Sequence, residues 1–533
     1  LALLGRYEHL DPGDKELVEI LAVSKRPLPL EVFEAWPERS SKRVLPRLRF
    51  LEERGFVRSE FVNGRDEFTL DQSSFGDAVY KHLEDKRRKE LHRKLASVLR
   101  EVYAGREDEV LEELAYHYRS SGEEELALKL SLQAGEKLRK IYANEKAYEC
   151  YKYAAEVLND RGINDDLWRE VHEALAELSI LLGKYEEAIR IYDLLVKKLS
   201  DKLPVTRRAF YYRRKGKIWE IQGDYEQALP AYKEARKVFG KGEPEDSEQK
   251  LERIRTVNCL AGLYVRIGKY DKAMHICLEA LHTMENVEET IEHAALFTTI
   301  GMANYFKGNL SQAITFHTRS LEIEEKLGCV TETVHTLCNL GDCYLAKGQY
   351  EEAQKCFKKA ADLSEEVGDP YARALSLHGL GSFYLSVGAL RQAEEAQTSS
   401  LRLSRTYRLR RLSHQNYILQ GLIAKQQGEL SKAEGSLLRA LTAYTKQGSK
   451  WELCWLLCKL ASVHRLAGNF EQAQRVLKDA RKLSEDLEIE RLQLECALEE
   501  GKLLECLGRN AVSYTHLRAH ETRHDLVCRL LLE

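Results

Sequence analysis

Several features common in other classes of protein are missing from this 533-residue sequence. No apolar run approaches the roughly 18 residues that a membrane-spanning helix needs, and no secretory signal segment is recognisable. We therefore expect a cytoplasmic protein with no membrane partner. Proline is limited to 9 residues and the formal net charge is −3, so the composition gives no general attraction to nucleic acid or to an anionic membrane.

Signatures of catalysis and of cofactor chemistry are missing as well. The sequence contains no G-x-x-x-x-G-K-[ST] motif, and no G-x-G-x-x-G motif follows a predicted strand, so we expect no nucleotide site and no cofactor within the chain. A catalytic base needs a partner and a pocket, and neither is recognisable for His335, His378 or His414. We expect the chain itself not to be an enzyme.

The 12 cysteines include no C-x-x-C pair, which is typical of unpaired thiols in a reducing cytosol. Cys454 and Cys458 lie one helical turn apart in the predicted helices. Two thiols without further ligands favour core packing over a zinc site, and we expect no metal.

A repeat of 40 residues is the main positive signal. Glycines recur along the chain, and seven of the eight intervals between them are 40 residues, while the interval from Gly223 to Gly268 is 45. Such self-similarity indicates a repeat array rather than a series of unrelated domains. The recurring glycines are Gly183, Gly223, Gly268, Gly308, Gly348, Gly388, Gly428, Gly468 and Gly508.

Small residues recur around each glycine in a pattern that predicts a helical hairpin. The position seven residues before the glycine is always Gly or Ala, and the position five residues after it is Ala in the first eight copies. The position twelve residues after it is usually Ala or Ser. Small side chains that face each other would let two antiparallel helices approach closely, and the glycine would end the first helix.

Residues 340–360 carry this pattern in full and resemble the tetratricopeptide repeat (TPR) in its longer variant. The resemblance implies an all-α superhelical TPR solenoid, with eight full hairpins and a truncated ninth over residues 161–510. It also implies that a protein or peptide binds in the concave groove, which the first helix of each hairpin lines. The matching residues are Leu340, Gly341, Tyr344, Gly348, Ala353, Phe357 and Ala360.

By the same resemblance, the residues beside the small position of each first helix point into the groove. They are basic in the early repeats and neutral or apolar later, a mixture that suits an extended peptide or a helix better than a phosphate. The candidate groove residues are Arg213, Lys217, Arg255, Asn258, Thr298, Met302, Tyr305, His335, Cys338, Asp342, His378 and Ser382.

Ahead of the repeats, residues 13–72 have the pattern of a small winged-helix domain. Helices are predicted over 14–23 and 30–36, and a third, capped by Ser40 or Ser41, ends at Gly55. Asn63-Gly64 between two alternating segments predicts a β-hairpin.

The third helix of a winged-helix domain can enter the major groove of DNA, and this one is rich in basic residues. Two glutamates interrupt the basic set, and the domain is not basic as a whole. We therefore favour a solvated face on a protein-docking domain and consider nucleic acid an unlikely partner. The basic residues are Lys42, Arg43, Arg47, Arg49 and Arg54.

Residues 73–160 are predicted to form a helical connector and degenerate capping repeats. Within them, residues 91–96 read Leu-His-Arg-Lys-Leu-Ala. A winged helix, a basic helix of this type and helical repeats, in that order, resemble the region that follows the nucleotide-binding module of bacterial STAND-type signalling ATPases. The resemblance implies an ATPase module upstream in cis, with residues 1–12 as its end, and the start at Leu1 rather than Met fits a fragment.

The repeat pattern ends at Asn510. Residues 511–533 resemble the in-frame translation of a transposase-type sequencing adapter, and we expect them to be an artefact. His516, His520 and His524 have metal-ligand spacing, but we expect them to bind nothing.

Three hypotheses for function follow from these patterns. We favour a non-catalytic, peptide- or protein-binding TPR scaffold that acts as the sensor or regulatory arm of a bacterial multidomain signalling ATPase. The first alternative is a DNA-binding transcriptional regulator that uses the winged helix. The second is part of a serine/threonine kinase or cyclase whose catalytic domain lies outside this chain.

Overall fold

A computed structural model describes residues 2–24, 26–37, 44–62, 64–162, 166–199, 202–240, 246–284, 288–407, 409–447, 449–487 and 489–508. Several predicted features lie outside these ranges: the capping serines Ser40 and Ser41, the basic residues Lys42 and Arg43, the turn residue Asn63, and the tail 511–533. The chain divides into two units, unit 1 (Leu1–Asp201) and unit 2 (Lys202–Glu533). No helix within the described ranges is long and apolar enough to cross a membrane.

Unit 1 begins with four helices and a small antiparallel sheet. The helices are α1 (Ala2–Glu8), α2 (Pro12–Val23), α3 (Leu30–Glu34) and α4 (Val44–Glu53). The strands are β1 (Leu28–Pro29), β2 (Val57–Val62) and β3 (Arg65–Leu70), in the order β1-β3-β2.

The expected hairpin pairs β2 with β3 in register from Val57 opposite Leu70 to Val62 opposite Arg65. The sequence did not indicate β1, because this strand has only two residues and one of them, Pro29, was interpreted as a break between helices. Tyr7 and Leu10, from the segment expected to end another module, are buried in the same core as Phe68.

The rest of unit 1 is helical, and from α6 to α11 each helix packs on the next. Tyr142 forms the turn between α8 and α9 with a φ of 58°, which is uncommon for a residue with a side chain. The helices are α5 (Ser73–His82), α6 (Asp85–Val102), α7 (Leu111–Ser121), α8 (Glu124–Lys140), α9 (Asn144–Asp160), α10 (Asp166–Leu181) and α11 (Tyr185–Leu199).

Over residues 202–508, unit 2 has seven helical hairpins followed by one further helix in the described ranges. The turn glycines of both units have positive φ values between 72° and 90°, the conformation that ends each first helix. The helices are α12 (Val205–Gln222), α13 (Tyr225–Lys237), α14 (Ser247–Arg266), α15 (Tyr270–His282), α16 (Ile291–Lys307), α17 (Leu310–Leu327), α18 (Val330–Ala346), α19 (Tyr350–Val367), α20 (Pro370–Ser386), α21 (Leu390–Thr406), α22 (Arg410–Gln426), α23 (Leu430–Gln447), α24 (Lys450–Leu466), α25 (Phe470–Leu487) and α26 (Glu490–Cys506).

In several hairpins of unit 2 the glycine at the small position of the first helix faces a large side chain of the second helix, which the sequence analysis did not anticipate. A Cβ added to Gly341 would lie 2.5 Å from Cζ of Phe357, and one added to Gly216 would lie 2.6 Å from the ring of Tyr232. The large residue stands nine positions after the turn glycine. The glycine therefore makes room for a buried ring of the second helix, and this ring fills the centre of the hairpin.

The first helices of unit 2 pack side by side along the array: α12 on α14, α14 on α16, and so on to α26. Successive second helices make no contact of comparable extent in the described part of unit 2. The first helices therefore lie on the inner side of the curved array, and their exposed side chains form what we call the inner face.

Candidate functional site: the inner face of unit 2

The basic residues expected in the early groove are neutralised by carboxylates. Arg213 Nε lies 2.6 Å from an oxygen of Glu252 on the next first helix, and Arg255 Nη2 lies 3.0 Å from Glu292. These ion pairs link neighbouring repeats, so this part of the inner face is balanced in charge rather than basic.

Lys217 is half exposed, and its Nζ lies 3.3 Å from the buried carboxylate of Glu220. Glu220 also lies 2.9 Å from Arg266 and accepts a hydrogen bond of 2.7 Å from the hydroxyl of Tyr232. Burial raises the pKa of Glu220, but the charges of Arg266 and Lys217 and the Tyr232 hydrogen bond outweigh it and lower the pKa to about 2. The sequence analysis missed Glu220, which lies one turn from Lys217 on the same helix.

Three candidates in the middle repeats mainly join helices to each other. Asn258 Oδ1 accepts a hydrogen bond of 2.8 Å from Thr299, and the Thr298 hydroxyl lies 2.8 Å from that of Ser320. Met302 packs, partly buried, against the core of unit 2. Their polar atoms are therefore largely used inside the fold.

Tyr305, Asp342 and Arg491 form the most distinctive group on the inner face. They come from α16, α18 and α26, and Arg491 Cζ lies 5.5 Å from the centre of the Tyr305 ring. Burial raises the pKa of Tyr305 to about 12; the charge of Asp342 adds to this effect, and that of Arg491 opposes it. The last helix thus brings a guanidinium to an aromatic residue and an acid that stand far earlier in the chain.

The Asp342 side chain is exposed, and no hydrogen-bond or ion-pair partner is found for it among the described residues. The protein that surrounds the inner face reduces the water around this carboxyl, and this desolvation raises its pKa to about 7. Within the described residues, the buried Nη1 atom of Arg491 also lacks a hydrogen-bond partner. The exposed part of the Arg491 guanidinium, the Asp342 carboxyl and the Tyr305 ring thus present a donor, an acceptor and an aromatic group to a bound molecule.

The remaining candidates flank this group. His335 contacts the Tyr371 ring edge-on at 4.9 Å between centroids, and His378 Nδ1 lies 3.2 Å from Asn416 Oδ1. Desolvation lowers the pKa of both histidines, which favours their neutral forms. Ser382 donates a hydrogen bond to the carbonyl of His378, and Cys338 is buried with only 4% of its surface exposed.

The arginines of α4 are engaged by other protein groups. Arg49 Nη1 lies 2.7 Å from Glu52, and Arg47 Nη1 lies 3.4 Å from Asp14. Arg54 Cζ lies 4.3 Å from the centre of the Phe50 ring. These contacts partly neutralise the helix that would enter a DNA groove.

Unit 1 contains a cavity of about 360 Å³ between α7 and α9. Charges of both signs line it: Arg26 pairs with Glu113, and Lys146 Nζ lies 2.8 Å from Glu112. Next to it, His92 of the Leu-His-Arg-Lys-Leu-Ala segment is fully buried, with its Nδ1 atom 2.8 Å from Nδ1 of His117. This histidine therefore joins α6 to α7 within the core.

The structure also brings a third cysteine to Cys454 and Cys458. The Sγ atoms of these two residues and of Cys496 all lie within 4.8 Å of one another, and all three residues are buried. The sequence analysis considered only the first two thiols, and its premise that no further ligand lies nearby was wrong.

The repeat geometry defines a helical scaffold with a TPR-like region. Residues 259–498 match the sequence profile of the family described as "MalT-like TPR region". A search of curated proteins found no match.

Solved structures with a similar fold include a Rap protein complexed with competence and sporulation factor, at a TM-score of 0.50 and 18% identity. That match covers 68% of this chain and 98% of the Rap chain. Two others are weaker. A STAND protein with a tetratricopeptide repeat sensor from Pyrococcus horikoshii has a TM-score of 0.37 and 16% identity, over 90% of this chain and 64% of that one. The apo form of RapI has a TM-score of 0.41 and 16% identity, over 52% of this chain and 99% of that one. At these identities the likeness concerns the fold alone.

Proposed function

We propose that the chain is a non-catalytic binding arm whose inner face in unit 2 holds an extended peptide or a segment of a partner protein. The observation that carries the proposal is the group formed by Tyr305, Asp342 and Arg491. It offers a carboxyl without a partner among the described residues, a partly exposed guanidinium and an aromatic ring on one surface. A peptide with a basic side chain would pair with Asp342, and a peptide carbonyl would accept a hydrogen bond from Arg491.

The fold supports this use of the surface. A solved Rap protein with a similar fold is complexed with competence and sporulation factor, so a fold of this type can hold a binding partner. The ion pairs between successive first helices, such as Arg213 with Glu252, keep the inner face in one shape before binding. A preformed surface lowers the entropy cost of binding an extended ligand.

We further propose that the binding arm regulates an ATPase module in the same polypeptide. The support is the order of elements in unit 1, where α2, α3, α4 and the β2-β3 hairpin precede the helical repeats in the manner of a winged helix. In this proposal, α4 docks onto protein rather than DNA, since Arg47 and Arg49 already pair with carboxylates. A ligand would act by binding one arrangement of arm and module more tightly than the other.

The binding proposal is tested by selecting ligands from a random linear peptide library displayed on phage, with the full chain as bait. We expect selected peptides to carry a basic residue and to protect α16, α18 and α26 from hydrogen exchange. Two isosteric variants separate the inner face from the rest: Asp342→Asn on the inner face and Glu351→Gln on the exposed start of α19. The proposal is contradicted if D342N selects the same peptides as the wild type, or if the selected peptides protect only second helices from hydrogen exchange.

A further inference from the structure

Three buried cysteines meet near the end of the array, where α24 packs against α26. Cys454 and Cys458 lie one turn apart on α24, and Cys496 lies on α26. Cys458 Sγ and Cys496 Sγ are 3.2 Å apart, and Cys454 Sγ lies 3.2 Å from the carbonyl oxygen of Ala480 on α25. Three helices therefore converge on one cluster of sulfur atoms.

The surroundings of this cluster are mostly apolar. The same core contains Ile489 just before α26, Leu492 in the first turn of α26 and Ala480 from α25, and the Ser484 side chain hydrogen-bonds to Cys496. Among the described residues, no histidine or carboxylate joins the three sulfurs as a further ligand. The site thus offers three soft sulfur donors, close enough to share one ion, and little access for water.

We propose that Cys454, Cys458 and Cys496 form a binding site for a soft monovalent cation, Cu(I). Thiolate sulfur selects soft ions such as Cu(I), and Cu(I) accepts two or three sulfur ligands without needing a fourth. Structural zinc takes four protein ligands, and catalytic zinc adds a water to three, so this dry site with three donors suits zinc less well.

Binding is an exchange of protons for metal. Cu(I) replaces the thiol protons of Cys454, Cys458 and Cys496, because a cysteine binds a metal as the thiolate, and the three protons leave to solvent. No oxidation is involved, and the ion keeps its charge. The three thiolates and the cation leave two net negative charges in the site, which costs less than burial of three thiolates without a cation would.

The bound ion would hold the last described helix in place. α26 packs on α25 and α24. A metal bridge from α24 to α26 adds a cross-link between these two first helices. The ion would therefore act on the stability of this end of unit 2.

The test uses the full chain, reduced and kept free of oxygen, and titrates Cu(I) against a colorimetric Cu(I) chelator. We expect one tightly bound Cu(I) per wild-type chain, sulfur-to-copper absorption in the near ultraviolet, and a higher melting temperature with metal. The Cys496→Ala variant removes a direct ligand. Its loss of Cu(I) affinity should therefore exceed the 10- to 100-fold loss that mutation of a supporting residue typically causes. Cys277→Ala is the matched control, because Cys277 is buried in the same core outside the cluster.

A melting curve of the metal-free C496A protein shows that the variant folds. Equal Cu(I) affinity in the wild type and C496A overturns the proposal. So does a tetrahedral Co(II) spectrum together with tighter binding of Zn(II) than of Cu(I), because a fourth ligand would then be present. The proposal is also overturned if Cys458 and Cys496 form a disulfide in air and the reduced protein does not bind Cu(I).

Discussion

The packing of Phe357 gives the sharpest prediction about what holds the repeats together. Its ring is fully buried between two glycines: a Cβ added to Gly341 would lie 2.5 Å from Cζ, and one added to Gly379 would lie 2.4 Å from Cδ1. Gly341 belongs to the same hairpin and Gly379 to the next first helix. The ring cannot move away from one glycine without approaching the other.

Gly341→Ala should therefore destabilise the protein. Overpacking of a closed core typically costs about 1–3 kcal/mol, and the better helix propensity of alanine returns about 1 kcal/mol. Gly435→Ala is the matched control, because Gly435 lies within α23 and nothing would lie within 4 Å of its new Cβ. Both variants gain the same helix propensity from alanine, so this gain cancels when their free energies of unfolding are compared. G341A should therefore be less stable than G435A by about 1–3 kcal/mol.

The assay is thermal unfolding of the full chain, followed by circular dichroism, for wild type, G341A and G435A. We expect the melting temperature of G341A to lie below that of the wild type, and that of G435A to lie at or above it. A G341A protein as stable as G435A would refute the argument that this glycine exists to accommodate the Phe357 ring.

Three further predictions concern buried and titrating groups. His317→Phe should raise stability by about 1–3 kcal/mol, since Nδ1 of this buried histidine lacks a partner among the described residues. Desolvation lowers the pKa of His317 to about 4, so the wild type should lose stability as the pH falls from about 6.5 to about 4, and H317F should lose less over that range in denaturant titrations. Glu220→Ala should cost about 3–5 kcal/mol in the same assay, because Arg266 loses the buried carboxylate 2.9 Å away; an effect as small as that of Glu226→Ala on the exposed surface would contradict this. The affinity for a basic peptide should fall as the pH decreases through about 7, where Asp342 takes up a proton, and D342N should remove this dependence in fluorescence titrations.

The repeat period predicted the hairpins well because each unit is built from local signals. A glycine with positive φ, an alanine five residues later and a fixed spacing were enough to place the hairpins from α10 to α25. The large side chain that packs against some of the small residues was not predicted. Tyr232 and Phe357 stand at equivalent places nine residues after the turn glycine, and this recurrence could have indicated the ring that each glycine accommodates.

Contacts between repeats were harder to predict, but they also follow a rule. Many side-chain contacts between neighbouring first helices join residues 36 to 39 positions apart, as in Arg213 with Glu252 and Cys458 with Cys496. Searching the sequence at this offset would have found Cys496.

Arg491 could not be found in this way. It lies 186 positions after Tyr305 in the chain, and the 40-residue repeat does not relate the two positions. Their contact depends on how far the whole array of unit 2 curves, which is a sum of small rotations at every repeat. The residues most important to the proposed site are thus the ones that local pattern determines least.

The most direct test of the central claim compares the dissociation constants of one selected basic peptide for the wild type, D342N and E351Q. A hydrogen bond or ion pair to a charged group is worth about 1.5–3 kcal/mol, so the inner-face account predicts roughly 10- to 100-fold weaker binding to D342N. It predicts no change for E351Q, whose substitution lies on a second helix. Equal affinities for the wild type and D342N, or a loss confined to E351Q, would show that the inner face is not where the peptide binds.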